Sequence, residues 1–293
     1  MNFAVTIIEQ GLIYGILALG LYITYKILDF PDLTVDGSFP LGAAVTAALI
    51  TRGVNPYLTL LVAFFAGALA GICTGLIHVK GKVRDLLSGI IMMTALWTIN
   101  LYIAGTSNVP LFSQESIFKN AWVDRVVPEG LKPYTTLLII CILTLLCKII
   151  LDLYLQTKSG YLLRAVGDNE VLVTSLAKAQ GNVKILGLSI SNGLVALAGC
   201  IFAQEERVFE ISMGTGAMVI GLASVIIGTS IFKKMTFIKT TTAVIIGSII
   251  YKACVAIALR NFDPQAMKLV TAVLFLAILV ISQGRKTKVK KNA

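Results

Sequence analysis

Seven stretches of the chain, roughly residues 4–25, 57–78, 87–105, 134–155, 184–205, 237–258 and 266–283, stay apolar for about the 20 residues a helix needs to cross the hydrocarbon layer. This repetition constrains the fold more than any other feature. Helices that are apolar all round need apolar surroundings on every side. A bilayer supplies them; a globular surface does not. Only 14% of the 293 residues are charged against 57% hydrophobic, where a soluble domain carries about 25% charge. Two further segments, near 37–51 and 215–232, are shorter and interrupted by glycine. Counted as spans, they bring the total to about nine. The expected fold class is all-α, a polytopic membrane protein forming a single transmembrane domain over residues 1–293.

The basic residues sort by side. With the N-terminus placed outside, Lys26, the Lys80/Lys82/Arg84 turn, the stretch from Lys158 to Lys184, Lys233, Lys234 and Lys239, and the tail from Arg285 to Lys291 all fall inside. That excess obeys the positive-inside rule. A cytoplasmic C-terminus needs an odd number of spans, which favours nine over eight or ten. The net charge of +10 therefore reads as an orientation signal, and no nucleic-acid partner is expected. The first span lacks a basic n-region and a small-residue cleavage site, so it is expected to stay in place. The loop over 106–132, with Pro110 and Pro128, is expected outside. Residues 156–183 are expected inside, with Leu162, Leu163, Val166, Leu172 and Leu176 at the spacing of a short amphipathic helix. Gly67, Gly71 and Gly75 in one span, and Gly11 and Gly15 in another, have the small-residue spacing that lets helix backbones approach closely.

Polar residues at bilayer depth point to function. The stretch Asp29-Phe-Pro-Asp-Leu-Thr-Val-Asp-Gly-Ser-Phe-Pro-Leu-Gly42 follows the first span with three acids and two prolines. Pro31 and Pro40 break or bend helices. Broken backbone at this depth must be buried in protein or line a wet cavity. Asp29 and Asp32 are open between a headgroup loop and the interior, whereas Asp36, Ser38 and Phe39 are placed at a solute pathway. A second irregular stretch, Glu210-Ile-Ser-Met-Gly-Thr-Gly216, with Ser212 and Gly214, also precedes a short span. Paired interrupted segments of this kind mark an internal repeat around a central site, so broken helices near the pathway and a possible internal repeat are expected. Glu9, Asn100 and Asn192 lie inside spans, where polar groups face the bundle interior or water. Glu9 has the alternative of an outer-interface residue, and the two asparagines that of interhelical hydrogen-bond partners. Gln204-Glu205-Glu206-Arg207 ends a span as either a partner contact or a solvated helix end. Phe39, Trp97 and Tyr102 are candidates to flank an aromatic solute, or ordinary packing residues.

Several chemistries are missing. Cys73, Cys141, Cys147, Cys200 and Cys254 all lie in apolar runs without a Cys-x-x-Cys pair, and His78 has no nearby ligating partner, so no metal site is expected. There is no phosphate-binding loop, no His-Glu-x-x-His and no Gly-x-Ser-x-Gly. The chain is expected to be a non-catalytic subunit that binds no cofactor itself.

The inner loop reads Ser159-Gly-Tyr-Leu-Leu-Arg-Ala-Val-Gly-Asp-Asn-Glu170, then Ser175-Leu-Ala-Lys-Ala-Gln-Gly181. It resembles the coupling loop of permeases of the branched-chain amino acid and ribose ABC importer family. The first span with Asp36-Gly-Ser-Phe-Pro-Leu-Gly-Ala, and Gly216-Ala-Met-Val-Ile-Gly-Leu-Ala-Ser-Val-Ile-Ile-Gly228, resemble that family too. Together these cover most of the chain. Within the family the chain is most similar to tryptophan and tyrosine importer permeases. The resemblance implies that Gly160, Arg164, Gly167, Asp168, Asn169, Glu170, Ser175 and Gly181 serve ATPase coupling. It also implies a second permease copy, a cytoplasmic ATP-binding subunit carrying ATP and Mg, and an extracellular substrate-binding protein or lipoprotein at a bacterial cell membrane. The function it implies is inward movement of a small solute by alternating access, an amino acid with aromatic ones among the candidates. An ion-coupled secondary transporter is the alternative; its buried acid would be Glu9 or Asp36.

Overall fold

The computed structural model describes residues 3–120, 123, 125, 127–168, 180–233, 235, 237–259, 269 and 271–280. The helices are α1 (Phe3–Leu21), α2 (Val35–Ile50), α3 (Pro56–Val79), α4 (Asp85–Ala104), α5 (Thr135–Leu155), α6 (Lys158–Asp168), α7 (Gln180–Glu206), α8 (Ala217–Ile231), α9 (Thr240–Leu259) and α10 (Thr271–Val280). Among the described residues seven helical segments are long and apolar enough to cross a membrane, and α2 and α10 are shorter apolar helices. The all-α polytopic expectation therefore holds. One expected short segment is longer than foreseen: a 3₁₀ turn, Ile211–Gly214, runs up to α8, and Ile211–Ile231 together reach span length. Of the expected 266–283 span, the described residues are Leu269 and α10, all helical.

Apolar faces point outward as bilayer residence requires. Leu61, Phe65 and Leu69 on α3, Ile142, Leu145 and Ile149 on α5, and Val273, Leu276 and Val280 on α10 are all exposed. In water such faces would be a liability; in lipid they cost nothing. The interior is built around α1, whose residues from Gly11 to Leu21 are all buried. It packs against α5, α7, α8 and α9. Helix α3 lies along α7 on its glycine face: a Cβ at Gly67 would collide with the Asn192 carbonyl oxygen, and one at Gly71 with that of Leu188. The glycine spacing in the sequence thus marks a backbone-to-backbone seam.

Helix α1 ends in a π-helical turn, Tyr22–Ile27, with Leu28 N–H donating to Ile23 O and Phe30 N–H to Thr24 O. Wide turns of this type redirect a helix without leaving backbone groups unpaired. Asp29 then adopts φ 52°, a left-handed conformation that aspartate tolerates better than most residues. The chain bends there, and Pro31 follows. The 106–132 segment is more folded than a polar loop. Its strand β1 (Asn108–Pro110) pairs antiparallel with β2 (Val208–Glu210), and Leu111, Ile117 and Val123 are buried. Gln204 on α7 fixes it, its Oε1 accepting from Ile117 N–H at 3.0 Å while its Nε2 donates to Thr59 Oγ1 at 3.1 Å.

Candidate functional site

The two interrupted segments meet. Pro40 has no N–H, so the Asp36 carbonyl one turn earlier lacks its helical partner. The backbone of Gly214 closes on that place so tightly that a Cβ there would strike Asp36 O and the Pro40 ring. The Asp36 carboxylate reaches across at the same point. Its Oδ2 accepts from Gly216 N–H at 3.1 Å and its Oδ1 from Met218 N–H at 2.8 Å. These are orphan donors of the α8 N-terminus, where an anion is favoured. Asp36, expected as a pathway residue, therefore holds α8 to α2 with both oxygens.

A second polar tie lies behind it. Ser38 Oγ donates to Asn192 Oδ1 at 2.7 Å, and Asn192 Nδ2 donates to Asp32 Oδ2 at 2.7 Å. Asp32 Oδ1 accepts from Thr34 N–H at 2.9 Å. Asp32, Ser38 and Asn192 are all buried. The structure thus separates the two acids that the sequence leaves together: Asp29 is exposed and Asp32 is an interior carboxyl. Ser38 and Asn192 are each other's partners, which matches the interhelical reading of Asn192. Asn100 donates through Nδ2 to Gly37 O at 3.1 Å, while its buried Oδ1 has no hydrogen-bond partner among the described residues.

Two cavities flank the Ile211–Gly216 stretch, and Thr215 lines both. The smaller, about 340 Å³, takes in Asp36, Trp97 and Asn100. The larger, about 670 Å³, takes in Tyr14, Phe202, Glu206, Glu210 and Ser212. A drug-sized ligand fits cavities of about 300–1,000 Å³. The aromatic rings form a triad. Tyr14 stacks on Phe39 with centroids 5.8 Å apart and meets Phe202 edge-on at 5.7 Å, while Phe39 and Phe202 lie 5.6 Å apart. Ser212 Oγ donates to the Glu210 carboxylate. Of the aromatics expected to flank a solute, Phe39 is in the triad and Trp97 lines the smaller cavity; Tyr102 is 85% exposed, away from both.

Sequence reasoning missed Tyr14 and Lys252 here. Lys252 is buried, with its ammonium 3.7 Å from the Tyr14 ring centroid. The signal was available as the single cation inside the apolar run that becomes α9. Glu9 is buried, with neither carboxylate oxygen hydrogen-bonded among the described residues, so it does not reach solvent as its outer-interface alternative requires.

Of the coupling candidates, Gly160, Arg164 and Gly167 lie on α6, which Asp168 ends. Leu163 and Val166 are buried and Tyr161 and Arg164 face outward, so the amphipathic pattern is real. A Cβ on Gly167 would collide with Ile27 O, placing α6 against the π turn. Gly181 sits in the first turn of α7 against Val79. Asn169, Glu170, Ser175 and the expected helical positions Leu172 and Leu176 fall outside the described residues.

Comparison with known proteins agrees with this architecture. The family model for the branched-chain amino acid transport system permease component matches residues 3–281. The tyrosine transport system permease protein of Clostridioides difficile (strain R20291) is 43% identical over all of this chain and 96% of its own length. The ribose import permease protein RbsC of Escherichia coli (strain K12) is 26% identical over 78% of this chain and 69% of its own. The probable branched-chain amino acid transport permease protein LivH of Methanocaldococcus jannaschii is 28% identical over 73% and 70%. No solved structure is significantly similar to the chain. A match of this extent, on a bundle of membrane-length helices with a polar interrupted centre, makes the chain a multi-pass membrane protein of the branched-chain amino acid transport system permease family.

Proposed function

We propose that this permease is the membrane subunit of an ATP-driven importer that moves a small amino acid, aromatic in side chain, inward by alternating access. The observation that carries the reading is the meeting of two interrupted segments, joined by Asp36, between two cavities that share Thr215. Discontinuous helices around a central site are the transporter arrangement for backbone at bilayer depth. The aromatic triad beside the larger cavity suits a flat hydrophobic side chain, as does the likeness to a tyrosine transport permease. The chain performs no bond chemistry. In this reading a cytoplasmic ATP-binding subunit holds ATP and Mg, an extracellular binding protein or lipoprotein delivers the solute, and a second permease copy completes the passage. The N-terminus is outside and the C-terminus cytoplasmic.

Helix α6 and the segment after it dock on the ATP-binding subunit, with Tyr161 and Arg164 presented outward and Leu163 and Val166 gripping the bundle. The ion-coupled alternative has one observation in its favour, the buried carboxyl of Glu9, which has no hydrogen-bond partner among the described residues. Reconstitution in proteoliposomes separates the two. Uptake of radiolabelled tyrosine is expected only when the ATP-binding subunit, the binding protein and ATP are all present. Uptake by the permease alone under an ion gradient would overturn the importer reading.

A further inference from the structure

Helices α8 and α9 both lie in segments of membrane length, and residues 232–239 join them. This short connection therefore sits at a membrane surface. Its sequence, Phe-Lys-Lys-Met-Thr-Phe-Ile-Lys, holds three lysines and no acid. Phe237 is 81% exposed, and Ile231 and Met235 are exposed beside it. Apolar and aromatic side chains that stand free at the ends of membrane helices are stable where they dip between headgroups and acyl chains.

The positive charge here is not neutralised from within. Asp152 of α5 reaches the start of α9, but its carboxylate is already taken. Its Oδ2 receives Lys148 Nζ at 2.9 Å and Lys239 Nζ at 3.3 Å, and its Oδ1 accepts from Thr241 Oγ1 at 2.7 Å. Two lysines on one acid leave a positive excess. Lys233 adds to it, with no carboxylate within 4.0 Å among the described residues. Lys233, Thr229 and Thr240 border a recess of about 260 Å³, and among the described residues no acid does. An unpaired cation, a polar recess and a protruding ring thus occur together at one membrane surface.

We infer that this connection binds the headgroup of an anionic phospholipid, with Lys233 meeting the phosphate at the recess and Phe237 set among the acyl chains beside it. Charge complementarity selects the occupant. A zwitterionic headgroup brings its own cation to a surface already in positive excess. A lysine near an anionic lipid surface strengthens binding about fivefold. The inference uses the proposed orientation only to name the leaflet, the cytoplasmic one, where anionic lipid gives the surface its negative potential.

The test is acyl-chain quenching with the full chain in liposomes. Trp97→Phe and Trp122→Phe remove both tryptophans, and Phe237→Trp places a single fluorescent reporter at the connection. Brominated phosphatidylglycerol, or brominated phosphatidylcholine with the same acyl chains, is diluted into unlabelled phosphatidylcholine. Quenching should be stronger with the phosphatidylglycerol, giving a relative binding constant of about fivefold or more. Lys233→Gln combined with Lys234→Gln should abolish that preference, whereas Lys119→Gln, far from the connection in sequence, should leave it unchanged. Equal quenching by the two lipids, or a preference that survives the double lysine variant, would overturn the inference. So would the absence of quenching by either lipid, which would mean that protein covers this surface. If the double variant does not fold, the comparison of the two lipids with the lysines in place still decides it. Neither an ATP-binding subunit nor a solute is present. A chain that imports solute but shows no lipid preference keeps the importer reading and loses this one.

Discussion

Removing the Asp36 carboxylate should loosen the joint between α2 and α8 by a calculable amount. Two N–H donors, those of Gly216 and Met218, lose their acceptors. A hydrogen bond to a charged group contributes about 1.5–3 kcal/mol, and losing a solvated N-cap costs about 0.5–2 kcal/mol. Asp36 is only partly buried and borders a cavity, so water replaces some of the lost bonding. The lower end applies, about 2–3 kcal/mol for Asp36→Ala. Asp36→Asn keeps one acceptor oxygen and turns an NH₂ toward the other donor, so it should lose about half of that or slightly more. Two measurements check this in detergent. The unfolding midpoint at fixed scan rate should fall by roughly 4–12 °C for the alanine variant, at about 2–4 °C per kcal/mol. Hydrogen exchange should rise selectively in residues 211–219, because the amides that lose their acceptors lie there. A midpoint within 1 °C or so of the parent, with unchanged exchange across 211–219, would refute the claim that this carboxylate fastens α8.

Asn192→Leu should cost about 3 kcal/mol or more, because it takes the Asn192 partner from the buried Asp32 carboxyl and strands Ser38; adding Asp32→Asn should restore part of the loss, and an additive double-mutant cycle would refute the link. Gly71→Val should abolish the α3–α7 seam, since its Cβ alone collides with Leu188 O, whereas Gly130→Ala, with nothing within 4 Å of the added carbon, should leave monodispersity in size-exclusion chromatography unchanged.

The spans were legible because periodicity is irrelevant when a whole segment is apolar: length and composition suffice, and Pro56–Val79 or Gln180–Glu206 falls within a few residues of the sequence reading. The α3 seam was legible because small residues four apart have one physical use in a membrane helix. What the sequence hid is long-range pairing. Asp36 and Gly216 are 180 residues apart, and Asp32 and Asn192 are 160 apart. No local rule says that one acid of the Asp29-to-Asp36 run caps α8, that a second bonds Asn192, and that the third stays in solvent. Tyr14 was hidden differently. Inside a uniformly apolar span a tyrosine reads as packing, and only the approach of Phe39, Phe202 and Lys252 gives its ring a cavity-side role.

The same contacts say where the bundle can yield. Backbone packed directly on backbone has no side chain to change rotamer and no slack to take up a shift. That condition holds between α3 and α7 at Gly67 and Gly71. It holds again between α8 and α9, where a Cβ on Gly228 would strike Ala243 O and one on Gly247 would strike Ser224 O. Each pair therefore moves as a unit. The joints between the two units add single polar ties to close backbone: a Cβ on Gly20 would meet Ser191 O, one on Gly11 the Ile249 Cα and one on Gly214 the Asp36 O. The ties are Ser191 Oγ donating to Gly20 O at 2.8 Å, Ser248 Oγ donating to Gly11 O at 2.6 Å, and Asp36 joining α2 to α8. Hydrogen bonds of about 1 kcal/mol net can exchange with water as an interface opens; interlocked backbone cannot. Exchangeable ties of this kind lie at the α1 and Asp36 joints, and Tyr14 of α1 and Asp36 each border one of the two cavities.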